Sequence, residues 1–250
     1  MSNYVKLLNN FEALELATFK DNFSSFVDSV NDDPSCLIDS FYELTEKEME
    51  LRQMRVNKAM IKTAHFPFLR SFEEFDFSYQ PNINKNAILD LKNLRFMEEA
   101  ENIVFIGTPG TGKTHLATAI GIVASMNRYQ TYFINANELI TQLRKAKDEN
   151  RLERRLKHFY SYSLLIIDEV GFLPIKAEDA NLLFQLIAMR YEKRSTIFTS
   201  NKSFNHWGEV FGDAGVANAM LDRILHHSKV FEIVGPSYRM KGKEDLFNKD

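Results

Sequence analysis

The fold reading turns on Gly107-Thr108-Pro109-Gly110-Thr111-Gly112-Lys113-Thr114, preceded by the apolar run Asn102-Ile103-Val104-Phe105-Ile106. The eight residues spell G-x-x-x-x-G-K-[ST], the phosphate-binding loop of nucleoside triphosphatases. The apolar run reads as a buried strand, and His115 to Arg128 behind it reads as a helix without internal proline. Strand, glycine-rich loop and helix is the context this motif requires. The glycines let the backbone curl so that successive N–H groups point at phosphate, and the helix N-terminus adds its positive end. Lys113 is expected to reach the β- and γ-phosphates, and the Thr114 hydroxyl to ligate Mg2+.

A second cluster of candidates lies downstream. Leu164-Leu165-Ile166-Ile167 suits a strand buried on both faces, and Asp168-Glu169 falls at its C-terminal end, where open α/β sheets hold ligands. Asp168 is expected to hold Mg2+, and Glu169 to polarise the attacking water. The strand Thr196–Ser200 ends in Asn201, whose amide either helps hold that water or simply turns the chain. Arg223, on a predicted helix over 215–227, either opposes the helix dipole or pairs with a carboxylate, or else acts as an arginine finger on a neighbouring subunit's nucleotide. Arg239 poses the same question with less context. His226 and His227 are adjacent, and neighbouring helical residues diverge by about 100°, so they read as structural rather than as chelating partners.

The segment Arg144–Lys157 holds seven bases (Arg144, Lys145, Lys147, Arg151, Arg154, Arg155 and Lys157) against three acids. It reads either as a solvated helix face laced with i,i+4 pairs or as a non-specific, salt-sensitive phosphate-contacting surface for nucleic acid. Overall charge is only −3, but residues 1–50 hold eleven acids against three bases, which leaves the remainder net basic. Any DNA surface is therefore expected outside the acidic front end.

With 250 residues and 44% hydrophobic content, the chain fills one good core and a smaller appendage. No run of about 18 apolar residues is present, so no membrane span is expected. There is no signal-peptide pattern, and the one cysteine, Cys36, fits a reducing cytoplasm. Residues 1–66 carry helical periodicity, with candidate caps at Asp33-Pro34-Ser35 and a Thr45…Glu48 capping box opening a helix from Glu46 to about Ala64. Residues 67–83 read as a connector. Over 84–250, strands at 103–106, 131–135, 164–168, 196–200 and 230–234 alternate with helices at 88–100, 115–126, 136–160, 177–191 and 215–227. That alternation predicts an α/β fold with a parallel five-stranded sheet covered on both faces.

These motifs resemble, over nearly the whole chain, the IstB-like ATPases, helper proteins of one group of bacterial insertion sequences. The likeness rests on Leu69–Phe77, Gly107–Ala117, Leu164–Pro174, Arg190-Tyr191-Glu192 and Thr199-Ser200-Asn201. It also rests on the narrower signature Asp222-Arg223…His226-His227…Ser237-Tyr238-Arg239. The resemblance implies an AAA+ P-loop NTPase core of the clade shared with DnaC-like helicase loaders and DnaA-like initiators. It implies that Gly107 to His115 and Asp168 bind ATP between subunits, with Asn201 at the sensor position and Arg223 as the arginine finger. It places 75–77 near the adenine and directs the basic segment toward DNA. Such proteins oligomerise on duplex DNA, deform it and present it to a partner transposase. Only sixteen residues follow 234, too few for the usual AAA+ helical lid. Two other functions compete: a DnaC-like replicative helicase loader, and a monomeric small-molecule P-loop kinase. Glu169 beside Asp168 suits water activation better than the kinase.

Overall fold

The computed structural model describes residues 3–33 and 37–241. Cys36 and the Pro34-Ser35 part of the predicted cap lie outside the described residues. Internal contacts divide the chain into residues 1–59 and 60–250. The first unit contains α1 (Asn3–Ala13), α2 (Ala17–Asp32) and most of α3 (Leu37–Thr63). Aromatic side chains build its centre: Phe11 meets Phe19 and Phe23 with ring centroids 5.4 and 5.2 Å apart.

The predicted capping box is not a helix start. Thr45 and Glu48 lie inside α3, which begins well before them. Thr45 Oγ1 donates to the Tyr42 carbonyl at 2.7 Å, the back-bond a threonine makes within a helix. Glu48 is buried and accepts from the Thr18 amide at 3.1 Å and from Arg52 Nε at 2.9 Å. Those partners occupy the carboxylate that a capping box would have used.

The second unit continues with α4 (Lys85–Asp90), α5 (Arg95–Glu98), β1 (Asn102–Gly107), α6 (Lys113–Met126), β2 (Thr131–Asn135), α7 (Ala136–Asp148) and α8 (Leu152–Ser161). Then come β3 (Leu164–Val170), α9 (Ala177–Arg190), β4 (Ser195–Ser200), α10 (Trp207–Val210), α11 (Ala214–His226) and β5 (Ser228–Ile233). The five strands are parallel, in the order β2-β3-β4-β1-β5. Strand residues alternate between two apolar layers. Ile103, Phe105, Leu164, Ile166 and Ile197 face α6 together with Phe72, Phe75, Ile88 and Phe96. Val104, Leu165, Ile167 and Phe198 face Leu139, Leu143, Phe159, Leu186, Phe211 and Ile224 on the other side. Both faces being covered explains the unbroken apolar runs Ile103–Ile106 of β1 and Leu164–Ile167 of β3. Phe72 and Phe75 thus carry the 67–83 connector onto this core.

Two predicted helices are divided. The helix expected over 88–100 is α4, a 3₁₀ turn at Leu91–Asn93 and α5, because Leu94 takes a left-handed φ of 59°. The helix expected over 136–160 is α7 and α8, broken at Asn150 with φ 53°. There the Arg151 amide donates to Ala146 O at 2.7 Å and the Asn150 amide to Lys147 O at 3.0 Å, a Schellman ending with asparagine in the left-handed position. The break lets Leu156 and Phe159 of α8 reach the same apolar layer as Leu139 and Leu143 of α7.

Arg190 closes the base of this layer. It is fully buried and donates to Phe159 O (2.9 Å), Tyr160 O (3.3 Å), Tyr162 O (2.9 Å), Ser195 O (2.6 Å) and Thr196 Oγ1 (2.9 Å). Burial pushes its pKa down to about 9, which still leaves it charged at neutral pH. Arg190→Ala strands these acceptors and is expected to cost about 3–5 kcal/mol, read as a lowered urea midpoint. A loss below about 1 kcal/mol would mean water replaces the guanidinium.

Candidate nucleotide site

The phosphate loop joins β1 to α6 at the C-terminal edge of the sheet. Gly112, at φ 95°, caps α6 without a side-chain hydrogen bond, so the first N–H groups of the helix stay directed at the loop's concavity. Two flanking segments press on the loop where only glycine fits. A Cβ on Gly112 would lie 2.4 Å from the Phe75 ring, and one on Gly110, at φ 80°, would lie 2.0 Å from Ser237 Oγ. The segment after β5 is pinned there, with the Tyr238 amide donating to Gly110 O at 2.9 Å and Thr108 Oγ1 to Gly235 O at 3.0 Å. Thr111 Oγ1 donates to Thr108 O at 2.9 Å within the loop. Lys113 Nζ donates to Gly107 O at 2.9 Å and Thr108 O at 2.7 Å. Burial, reinforced by the charge of Arg239 and opposed by Asp168 and Glu169, lowers the Lys113 pKa to about 8.

The acidic pair is brought to the loop by a β-bulge. Ile167 pairs with Phe198 and Val170 with Ser200, so Asp168 and Glu169 together oppose Thr199. Glu169 takes φ 58°, which breaks the alternation that would otherwise send adjacent side chains to opposite faces. Thr199 holds both halves of the bulge. Its hydroxyl donates to Asp168 Oδ1 at 2.5 Å and accepts from the Glu169 amide at 2.9 Å. Thr114 Oγ1 lies 3.0 and 3.2 Å from the two Asp168 oxygens. Burial raises the Asp168 pKa, the bonds from Thr199 and Thr114 oppose this, and the charge of Glu169 adds to the rise. Asn135, at the tip of β2, donates to Glu169 Oε2 at 2.7 Å while its Oδ1 caps α7 through the Asn137 amide. Asn201 Oδ1 is buried with no protein partner.

A cavity of about 490 Å3 collects most of the predicted residues: Pro109 to His115, Glu169 and Asn201, together with Phe75, Tyr238 and Arg239. Thr108 lies at the loop's outer side, and Asp168 behind Thr114. The His115 ring nitrogen Nε2 is held by Ser71 O at 2.7 Å. Arg223 is not brought to this cavity. Its guanidinium stacks over Phe184 at 4.8 Å and donates to Ala219 O at 3.0 Å. Thr199 and Asn135 had no assigned role from the sequence; both are polar residues at or next to the C-terminal end of their strands.

The basic segment does not form one helix face. Arg144 forms a bidentate pair with buried Asp179 of α9, Arg151 pairs with Glu149, and Arg155 bonds Gln142 and lies over the Phe159 ring. Lys157 pairs with Glu153 at 2.6 Å. Lys145, Lys147 and Arg154 are exposed and make no ion pair among the described residues. The two histidines also differ from expectation. His227 is the residue after α11, at φ −124° and ψ 79°, so its ring turns back beside His226 with centroids 4.1 Å apart. Glu192 converges on them, its Oε1 lying 3.2 Å from His227 Nε2.

A P-loop bordered by a bulged acidic strand tip, on a parallel five-stranded sheet flanked by helices, defines a P-loop nucleotide-binding core. The family described as IstB-like ATP binding protein matches residues 9–245, and the chain belongs to that family. It is 51% identical, over all of its own length and 98% of the relative's, to a protein named for ATP binding in insertion sequence IS232 of Bacillus thuringiensis subsp. berliner. The counterpart named for IS5376 of Geobacillus stearothermophilus is 46% identical over 81% of this chain and 80% of that one. The fold resembles AMPPCP-bound DnaA from Aquifex aeolicus (TM-score 0.57, 21% identity, 74% of this chain and 57% of that one). It also resembles the DnaC helicase loader (TM-score 0.52, 23% identity, 69% of this chain and 98% of that one). No helix among the described residues is long and apolar enough to cross a membrane.

If Thr199 is what fixes the bulge, Thr199→Val, which keeps the shape and deletes the hydroxyl, is expected to lose about 1–3 kcal/mol of stability in denaturant titration. Thr199→Ser, which keeps the hydroxyl, is expected to stay near the parent. Equal losses in the two variants would show that packing, not the bond pair, holds the bulge.

Proposed function

We propose that this protein is an ATP-dependent helper of transposition. In this reading it binds ATP–Mg2+, oligomerises on duplex DNA with its nucleotide sites between subunits, and delivers that DNA to a partner transposase. The observation that carries the proposal is the convergence of Lys113, Thr114, Glu169 and Asn201 on one cavity, with Asp168 held directly behind Thr114. The chain's family and its relatives named from insertion sequences supply the context.

Each residue then has a role that its surroundings support. The loop amides and Lys113 hold the phosphates. Thr114 and Asp168 present hard oxygens about one hydrogen bond apart, a donor set suited to Mg2+, which would draw charge from the β- and γ-phosphates. Glu169 orients and deprotonates the attacking water, and Asn201 holds that water from the neighbouring strand tip. Asn135 holds Glu169 Oε2 and so orients the carboxylate, leaving Oε1 to act on the water. Arg223 cannot serve the cavity of its own chain from its place over Phe184, which favours action on a neighbour's γ-phosphate. Lys145, Lys147 and Arg154 are the cations of the basic segment left available for DNA phosphates. Arg144, Arg151, Arg155 and Lys157 contribute less because their partners compete.

Assembly on a short random-sequence duplex, followed by gel shift and electron microscopy, tests the reading. Multimers are expected with ATP and not with ADP. Lys113→Ala is expected to abolish the ATP response. Glu169→Gln is expected to bind ATP and assemble but to turn over at least about 100-fold more slowly. Arg223→Ala mixed with a Lys113→Ala chain is expected to restore part of the turnover if the arginine acts across subunits, its own loss costing about 1,000-fold or more. Binding confined to single strands, or copurification with a hexameric helicase, would replace this reading with a helicase loader.

A further inference from the structure

At the opposite edge of the sheet from the nucleotide cavity, three side chains from two separate segments converge. Glu192 sits in the turn between α9 and β4 at φ 56°, while His226 ends α11 and His227 leads into β5. His227 Nε2 lies 3.2 Å and His226 Nδ1 3.8 Å from the same oxygen, Glu192 Oε1. All three donor atoms lie within 4.8 Å of one another, and all three residues are exposed.

We propose that Glu192, His226 and His227 bind one zinc ion through Oε1, Nδ1 and Nε2. Ligands about 2.0 Å from a tetrahedral zinc stand roughly 3.3 Å apart, so the observed separations need only small rotamer adjustments. Two imidazoles and one carboxylate suit zinc and not magnesium or calcium, which favour oxygen-only shells. Three protein ligands on an exposed surface leave the fourth position to water. The Tyr191 hydroxyl lies 2.7 Å from His226 Nδ1, and on zinc binding it gives up that nitrogen to the metal.

The site has a structural consequence. It ties the chain just past the C-terminal end of α9 to the C-terminal end of α11, the helix that carries Arg223. Arg223 already rests on Phe184 of α9, so zinc would fix the corner from which the arginine projects. The site is independent of the nucleotide cavity and of whatever that cavity turns over.

The test uses the full chain without a histidine tag, stripped with chelator and given zinc alone. One zinc per chain is expected to survive gel filtration, with a higher thermal midpoint than the stripped protein. Co2+ titration is expected to develop the intense visible bands of a four-coordinate site. Glu192→Gln is expected to weaken zinc binding at least about tenfold with little change in the metal-free fold. The His226→Gln/His227→Gln double variant is expected to abolish binding and the thermal shift. Zinc lost on gel filtration, only octahedral cobalt bands, or equal retention by parent and variants would overturn the proposal. Because Glu192→Gln barely changes shape, the comparison survives if the double histidine variant does not fold.

Discussion

The arrangement of the nucleotide site depends on one irregularity, the bulge that sets Asp168 and Glu169 together against Thr199. A regular strand sends adjacent side chains to opposite faces of the sheet, so two consecutive carboxylates cannot both serve one cavity. Here the ladder skips a residue between Ile167 and Val170, and Glu169 accepts a left-handed backbone. The Thr199 hydroxyl makes that tolerable by accepting from the displaced amide and donating to Asp168. The strand order matters for the same reason. With β4 placed between β1 and β3, Thr199 and Asn201 stand between the phosphate loop and the acidic pair.

The loop itself is held from two sides. Phe75, from the segment before β1, lies against Gly112, and Ser237, from the segment after β5, lies against Gly110. Both segments are packed on the unit they serve: Phe75 is part of the apolar layer under α6, and Gln80 ties the two together by donating to Pro236 O at 2.9 Å. The glycines of the motif therefore do more than admit phosphate. They leave room for two flanking segments to close over the loop.

Much of this was legible in the sequence because its determinants are local. Five apolar runs with turn signals between them gave five parallel strands, and the phosphate loop and the Asp168–Glu169 tip were readable from contiguous residues. Most of what escaped was set by distant partners. The Thr45…Glu48 pattern read as a cap, but Glu48 belongs to Thr18, thirty residues away. The break at Leu94 carries neither glycine nor proline and turns the chain so that Phe96 is buried, whereas Asn150 is itself a local stop, an asparagine in the left-handed position. Arg144 read as a surface base, while its carboxylate, Asp179, lies on another helix. Thr199 and Asn135 act only across strands, and the Glu192 contact to His226 and His227 forms only because His227 leaves the helix.

The treatment of buried polar groups separates scaffold from site. Among the described residues Arg190 is the most deeply buried charge, yet five acceptors surround its guanidinium. Around the cavity the opposite holds. Lys113 is pushed down to about 8 and the Asp168 carboxyl is pushed up, both chiefly by burial. Asn201 Oδ1 has no protein partner, and Glu169 holds a backbone conformation that non-glycine residues avoid. Each departure alone costs folding stability, and their gathering within one cavity is the pattern expected where a protein is shaped for a ligand rather than for itself. The positive charge at Lys113 suits the phosphates of ATP, the ligand that the family description names, and the unpartnered acceptor at Asn201 suits a donor such as water.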